Sequence, residues 1–143
     1  MHIFAIANQK GGVAKTTTAV NLAAALTASG QRTLLVDLDP QGNATMGCGI
    51  DKRSLKSSVY QVLLKLGTLA DARVMSPSGK FDVLPANRDL AGAEVELVDL
   101  EMRETRLKDA FAAHEADYDF VLIDCPPSLS MLTLNGLCAA HGV

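Results

Sequence analysis

The strongest constraint on the fold lies at the start of the chain, where a short apolar run, Ile3-Phe4-Ala5-Ile6-Ala7, leads into the stretch Lys10-Gly11-Gly12-Val13-Ala14-Lys15-Thr16-Thr17. An unbroken apolar run of that length suits a strand buried on both faces of a parallel sheet. Residues 16–29 carry Val20, Leu22, Ala23, Ala24, Ala25 and Leu26, which favour a helix, and Gly30 stands where a helix C-terminal glycine belongs. Thr33-Leu34-Leu35-Val36 then repeats the buried-strand pattern. Strand, loop, helix and strand within about 40 residues make one right-handed βαβ unit.

The rest of the chain continues the alternation. Residues 59–66 predict a short helix, residues 71–80, with Pro77 and Gly79, a surface loop, and Phe81-Asp82-Val83-Leu84-Pro85 a third strand. Residues 90–114 set charged residues against Leu97, Leu100, Leu107, Ala110 and Phe111, the pattern of one long or two consecutive amphipathic helices. Phe120-Val121-Leu122-Ile123 predicts a fourth strand, and residues 130–140 a final helix. This order implies a three-layer α/β fold with a mainly parallel sheet and no internal repeat or linker. At 143 residues, 48% of them hydrophobic, the chain matches one modest domain with a real core. Gly142-Val143 falls where another strand would begin, so the expectation is a sheet cut after its fourth strand, within the N-terminal part of a single domain over residues 1–143.

Charge and composition restrict partners and compartment. The net charge of -3 argues against a strongly basic nucleic-acid surface on this segment. No apolar run reaches the roughly 18–20 residues that span a bilayer, and no cationic leader precedes the first strand, so the reading is cytoplasmic with no membrane partner. Cys48, Cys125 and Cys138 are odd in number and widely spaced, which fits reduced packing residues better than a disulfide framework or a zinc site. His2, His114 and His141 share no ligand spacing and read as surface or terminal residues.

A glycine-rich turn between a buried strand and a helix points several backbone N–H groups into one concavity, next to the positive end of the helix dipole. Such a nest binds phosphate. Gly11 and Gly12 let the backbone approach the anion, Lys15 can set an ammonium against the β and γ oxygens, the Thr16 hydroxyl can ligate magnesium, and Thr17 can reach another phosphate. Asp37 and Asp39 lie at the C-terminal end of the second strand, the edge at which open α/β sheets build their sites, and Asp124 ends the fourth strand in the same way. An acid there can hold Mg²⁺ directly or through water. Asp37 is open to two roles, support of the metal shell or of its own loop.

The stretch Lys10 to Thr17 resembles the deviant Walker A motif, K-G-G-V-G-K-T-T, of the ParA/MinD ATPases, with Ala14 the one departure. Asp39-Pro40-Gln41-Gly42-Asn43 is similar to the switch I segment of the ParA/Soj partitioning branch, and Asp124-Cys125-Pro126-Pro127 to the D-x-P-P switch II segment. The resemblance implies a P-loop NTPase fold and a cytoplasmic, nucleoid-associated protein with ATP and Mg²⁺ as cofactors. It implies slow ATP hydrolysis coupled to a homodimer, which binds DNA non-specifically, mainly through a C-terminal half beyond this segment, and is stimulated by a ParB-like partner. By the same likeness Lys10, Lys15 and Asp39 are the catalytic set. Lys10 reaches across a nucleotide-sandwich dimer to the phosphates of the partner subunit, and Asp39 orients the attacking water. Gly11, Gly12, Val13, Ala14, Lys15, Thr16 and Thr17 cradle the nucleotide, and Thr16, Asp39 and Asp124 face the metal.

Two further readings stay open at this point. One is another deviant Walker A ATPase, MinD-like or cobyrinic acid diamide synthase-like. The other is a non-catalytic nucleotide-binding fragment or module. The family's later half supplies adenine contacts, much of the dimer face and the DNA-binding residues, and Ala14 adds a methyl where the loop passes closest to phosphate.

Overall fold

A computed structural model describes residues 1–7 and 13–142 of the chain, the side chain of Val13 excepted. The expected roles of Lys10, Gly11 and Gly12 therefore lie outside the described residues. In the described residues five strands, β1 (His2–Ile6), β2 (Thr33–Asp37), β3 (Val74–Met75), β4 (Asp82–Leu84) and β5 (Phe120–Asp124), form one sheet in the order β1-β5-β2-β4-β3. Among the described residues the pairs β1·β5, β5·β2 and β2·β4 are parallel, and only β3·β4 is antiparallel. The three longest strands are the three apolar runs, and β5, late in the chain, inserts between β1 and β2.

Strand alternation divides the core between the two faces. Leu34, Val36, Val121 and Ile123 face one side, where they pack with residues of α3 (Val59–Leu63), α4 (Leu69–Ala72), α5 (Leu90–Glu96), α6 (Arg106–Ala112) and α7 (Met131–Ala139). Leu35, Leu122 and Val83 face the other, where Ala19 and Ala23 of α1 (Val13–Ala28) meet them. Those alanines are spaced i, i+4 and fully buried, so one small-residue stripe lets α1 lie close on the sheet. Each fully buried Leu, Ile or Val adds about 1.5–3 kcal/mol of transfer free energy. Gly30, at φ +88°, closes α1 as expected: its N–H donates to Thr27 O at 3.0 Å, and that of Gln31 to Leu26 O at 3.0 Å.

Besides β1, which stands at one end of the strand order and buries Ile3 and Ala5 but leaves His2 and Phe4 exposed, so that it is covered on one face and not on both, the sequence-based expectations are corrected at three places. Residues 71–80 are not simply a loop. Thr68 caps α4 by accepting the Asp71 N–H at 3.2 Å, and Val74–Met75 pairs antiparallel with β4. The turn signals Pro77 and Gly79 belong to the hairpin between these strands, closed by Ser76 N–H to Phe81 O at 2.8 Å. This hairpin supplies a fifth strand. The second correction concerns α1, which takes in Val13, Ala14 and Lys15 ahead of the expected Thr16. The third concerns Cys138, which is exposed, while Cys48 and Cys125 are buried as packing residues. Residues 90–114 resolve into two helices, α5 and α6. No described helix is long and apolar enough to cross a membrane.

Candidate functional site

The C-terminal ends of β1, β5 and β2 lie side by side, with Ile6, Asp124 and Asp37 in register. Backbone hydrogen bonds extend that alignment into the loops: Cys125 N–H donates to Ile6 O at 3.1 Å and Leu38 N–H to Asp124 O at 2.9 Å. The first turn of α1 reaches the same edge. There the Lys15 ammonium forms an ion pair with one Asp124 oxygen, and the Thr16 hydroxyl donates to the other at 3.1 Å. Burial pushes the Asp124 carboxyl upward, the charge of Asp39 adds to that, and Lys15 and Thr16 oppose it. Thus two motifs more than a hundred residues apart meet at one carboxylate.

Ala14 lies in α1 and is not among the residues with positive φ. Its backbone therefore does not require glycine, because helical φ/ψ suits an L-residue at least as well as glycine. Thr17 is exposed, and with Thr16, Val20, Asn21 and Asn43 it lines a cavity of about 410 Å³.

The two acids at the end of β2 differ sharply. Asp37 is fully buried and accepts three hydrogen bonds, from Asp39 N–H at 3.0 Å, Thr45 N–H at 2.9 Å and the Thr45 hydroxyl at 2.7 Å. Burial still pushes its carboxyl up to about 7. Of the two roles left open for Asp37, support of its loop is the one its contacts serve. Asp39 is partly exposed, and its Oδ1 accepts the Gln41 N–H at 3.0 Å.

The donor chemistry suits magnesium. Thr16 and Asp124 offer hard oxygens, whereas burial pushes the neighbouring Cys125 thiol up to about 11 and keeps it protonated. Among the described residues no group of three His, Cys, Asp or Glu side chains could form an all-protein cage. An incomplete oxygen set fits an ion that keeps its waters and takes the rest of its shell from substrate phosphates.

Two residues that sequence reasoning missed support these loops. Glu94 of α5 accepts the backbone N–H groups of Met131 at 3.0 Å and Leu132 at 3.4 Å, which fixes the start of α7, four residues after Pro127. Thr45, in the short helix α2 (Asn43–Gly47), bonds to Asp37 as above and accepts the Ala86 N–H at 2.9 Å. Neither carries a local sequence signal.

Comparison with known proteins gives one family model, the AAA domain, matching residues 1–143. A Pseudomonas putida protein without stated function is 60% identical over 99% of this chain and 54% of its own length. The sporulation initiation inhibitor protein Soj of Bacillus subtilis is 52% identical over 99% of this chain and 56% of its own length. The chromosome partitioning protein ParA of Myxococcus xanthus is 51% identical over 99% of this chain and 50% of its own length. Among solved structures, a cobyrinic acid a,c-diamide synthase from Mycobacterium smegmatis, with bound ATP analogue and magnesium, superposes with a TM-score of 0.96 at 53% identity, over 99% of this chain and 57% of that one. A Cyanothece McdA in complex with ATP gives 0.90 at 26% identity, over 98% of this chain and 54% of that one. The chain spans about half the length of the curated relatives it matches.

Proposed function

Because the chain belongs to the AAA domain family and is of the ParA/Soj partitioning type, we propose that it forms the nucleotide-binding part of a Mg²⁺-dependent ATPase that partitions DNA. The observation that carries this reading is the meeting of Lys15, Thr16 and Asp124 where α1 begins beside the parallel strands. An ammonium, a hydroxyl and a carboxylate at a helix N-terminus are the groups that hold a nucleoside triphosphate and its metal.

In this proposal Lys15 binds the β and γ phosphate oxygens, Thr16 and Asp124 hold the metal side, and Ala14 and Thr17 of α1 help orient the phosphates. The nucleotide supplies an electrophilic phosphoryl group whose charge the cations offset. Asp39, partly exposed on the loop after β2, aligns water for attack. Lys10 completes the site of a second copy in an ATP-dependent homodimer, and the dimer binds DNA and answers to a ParB-like partner in the nucleoid-containing cytoplasm. What supports these last steps is the type of the relatives. The test is calorimetric titration of the full-length protein with ATP and Mg²⁺, beside phosphate release with and without DNA and the ParB-like partner. Saturable binding with stimulated release is expected, and absence of nucleotide binding overturns the proposal.

The Mycobacterium smegmatis structures favour a second reading, in which the same half-chain serves an amide-forming synthase. Phosphate release that requires cobyrinic acid and an ammonia donor would support it. Release from ATP in their absence supports the partitioning reading.

A further inference from the structure

The loop that carries Asp39 is closed on itself by one buried carboxylate. Asp37 receives the Asp39 N–H on Oδ1, and both the N–H and the hydroxyl of Thr45 on Oδ2. Thr45 is fully buried, and its Oγ1 also accepts the Ala86 N–H at 2.9 Å, just beyond the end of β4. A single hydroxyl thus joins three segments: the end of β2, the start of α2 and the exit from β4. Gly42, at φ +68°, packs beneath the same exit, where an added Cβ would lie 2.9 Å from Ala86 O, and Lys52 Nζ donates to the Gln41 carbonyl beside it. The start of the loop is tied to the metal side, since Leu38 N–H donates to Asp124 O.

From this geometry we propose that Thr45 is a positioning residue for Asp39: acting through Asp37 and Ala86, its hydroxyl fixes the loop and so the place of the Asp39 carboxylate relative to Asp124. The inference rests on the reading of Asp39 as the residue that aligns water. Thr45 lies within the fold and does its work at one remove. Removing the hydroxyl takes one donor from Asp37 and leaves the Ala86 N–H buried without a partner, so the loop must shift to recover these bonds. Misplacement of a reacting group by about 1 Å can cost about 10²-fold in rate, while the Lys15 and Thr16 contacts that govern affinity stay in place.

The experiment uses the full-length protein with ATP and Mg²⁺. Thr45→Val keeps the shape and loses the hydroxyl; it should lower kcat by about 10–100-fold with nucleotide affinity unchanged within about twofold, and Thr45→Ser should restore most of the turnover. Wild-type kcat in Thr45→Val, or a loss of affinity that matches the loss of kcat, overturns the proposal. If Thr45→Val does not fold, Asp37→Asn serves instead, because it sets an amide donor against the N–H groups that the carboxylate accepts, and the same split between kcat and affinity is required. Asp39→Asn in the same assay separates the two readings. Turnover retained by Asp39→Asn removes both, whereas a dead Asp39→Asn beside an active Thr45→Val removes the role of Thr45 alone.

Discussion

Lys15 and Asp124, 109 positions apart in sequence, form a buried ion pair with side chains only 6% and 1% exposed. A phosphate that engages the Lys15 ammonium competes with the carboxylate that already holds it. Lys15→Met should therefore act twice. It should abolish nucleotide binding in calorimetry, and by leaving Asp124 buried without its cation it should cost about 3–5 kcal/mol in urea unfolding. Adding Asp124→Asn to Lys15→Met should recover most of the stability and none of the binding. A single variant that binds nucleotide normally would remove Lys15 from the site.

Two helical glycines should respond to alanine in opposite directions. At Gly136 of α7 a Cβ would lie 2.8 Å from Cys125 Sγ and 3.2 Å from Leu38 Cδ1, both fixed in the core. Overpacking there should outweigh the gain in helix propensity and cost about 1–3 kcal/mol. At Gly92 of α5 the close neighbour is the end of the flexible Glu96 side chain, at 2.8 Å. Gly92→Ala should stabilise by about 0.5–1 kcal/mol. Denaturant midpoints of the two variants check the pair.

The acid limb of the stability curve should carry a contribution from Asp119. Its carboxylate accepts the Arg32 backbone N–H at 2.8 Å and the guanidinium at 3.1 and 3.3 Å, which holds it below the usual carboxylate range. A folded pKa below the unfolded one means that this contribution is complete above about pH 4 and lost as pH falls through the lowered folded value. The pair is exposed, so the effect should be small and sensitive to salt. Asp119→Asn should flatten the slope of unfolding midpoint against pH in that window, and an unchanged slope would refute the assignment.

Thiol titration gives a direct check on packing. Burial pushes Cys48 up to about 12 and Cys125 to about 11, and Cys138 is exposed. One thiol should react promptly with Ellman's reagent in the native protein, and all three after unfolding. Prompt reaction of a second thiol would contradict the buried environment of Cys48 or Cys125.

These contrasts show which parts of the molecule could be read from its residues. β2 and β5 are continuous apolar runs ended by an aspartate, and a strand buried on both faces has few other ways to look, whereas the equally apolar run of β1 is buried on one face only, with Phe4 exposed. Lys15, Thr16 and Asp124 were legible for the same reason, as each stands at a fixed place relative to its own element. β3 was not, because both of its residues are exposed and two positions carry no alternation. Glu94 sits in a run where acidic residues alternate with apolar ones, and nothing local separates a carboxylate that binds the start of α7 from one that faces water. Thr45 acts through partners at Asp37 and Ala86, 8 and 41 positions away, and hydrogen bonds at that separation leave no pattern in either segment.

The insertion of β5 between β1 and β2 has a consequence for biosynthesis. Until residue 124 has left the ribosome, the first two strands have no common neighbour, and their inner edges are open to pairing with other chains. The hairpin of β3 and β4 can form early from local contacts, but the central closure waits on long-range pairing, the slow kind. The nascent chain is then most exposed to aggregation while β1 and β2 await their shared partner. Slower translation or a chaperone acting before Phe120 emerges should therefore change the yield of folded protein.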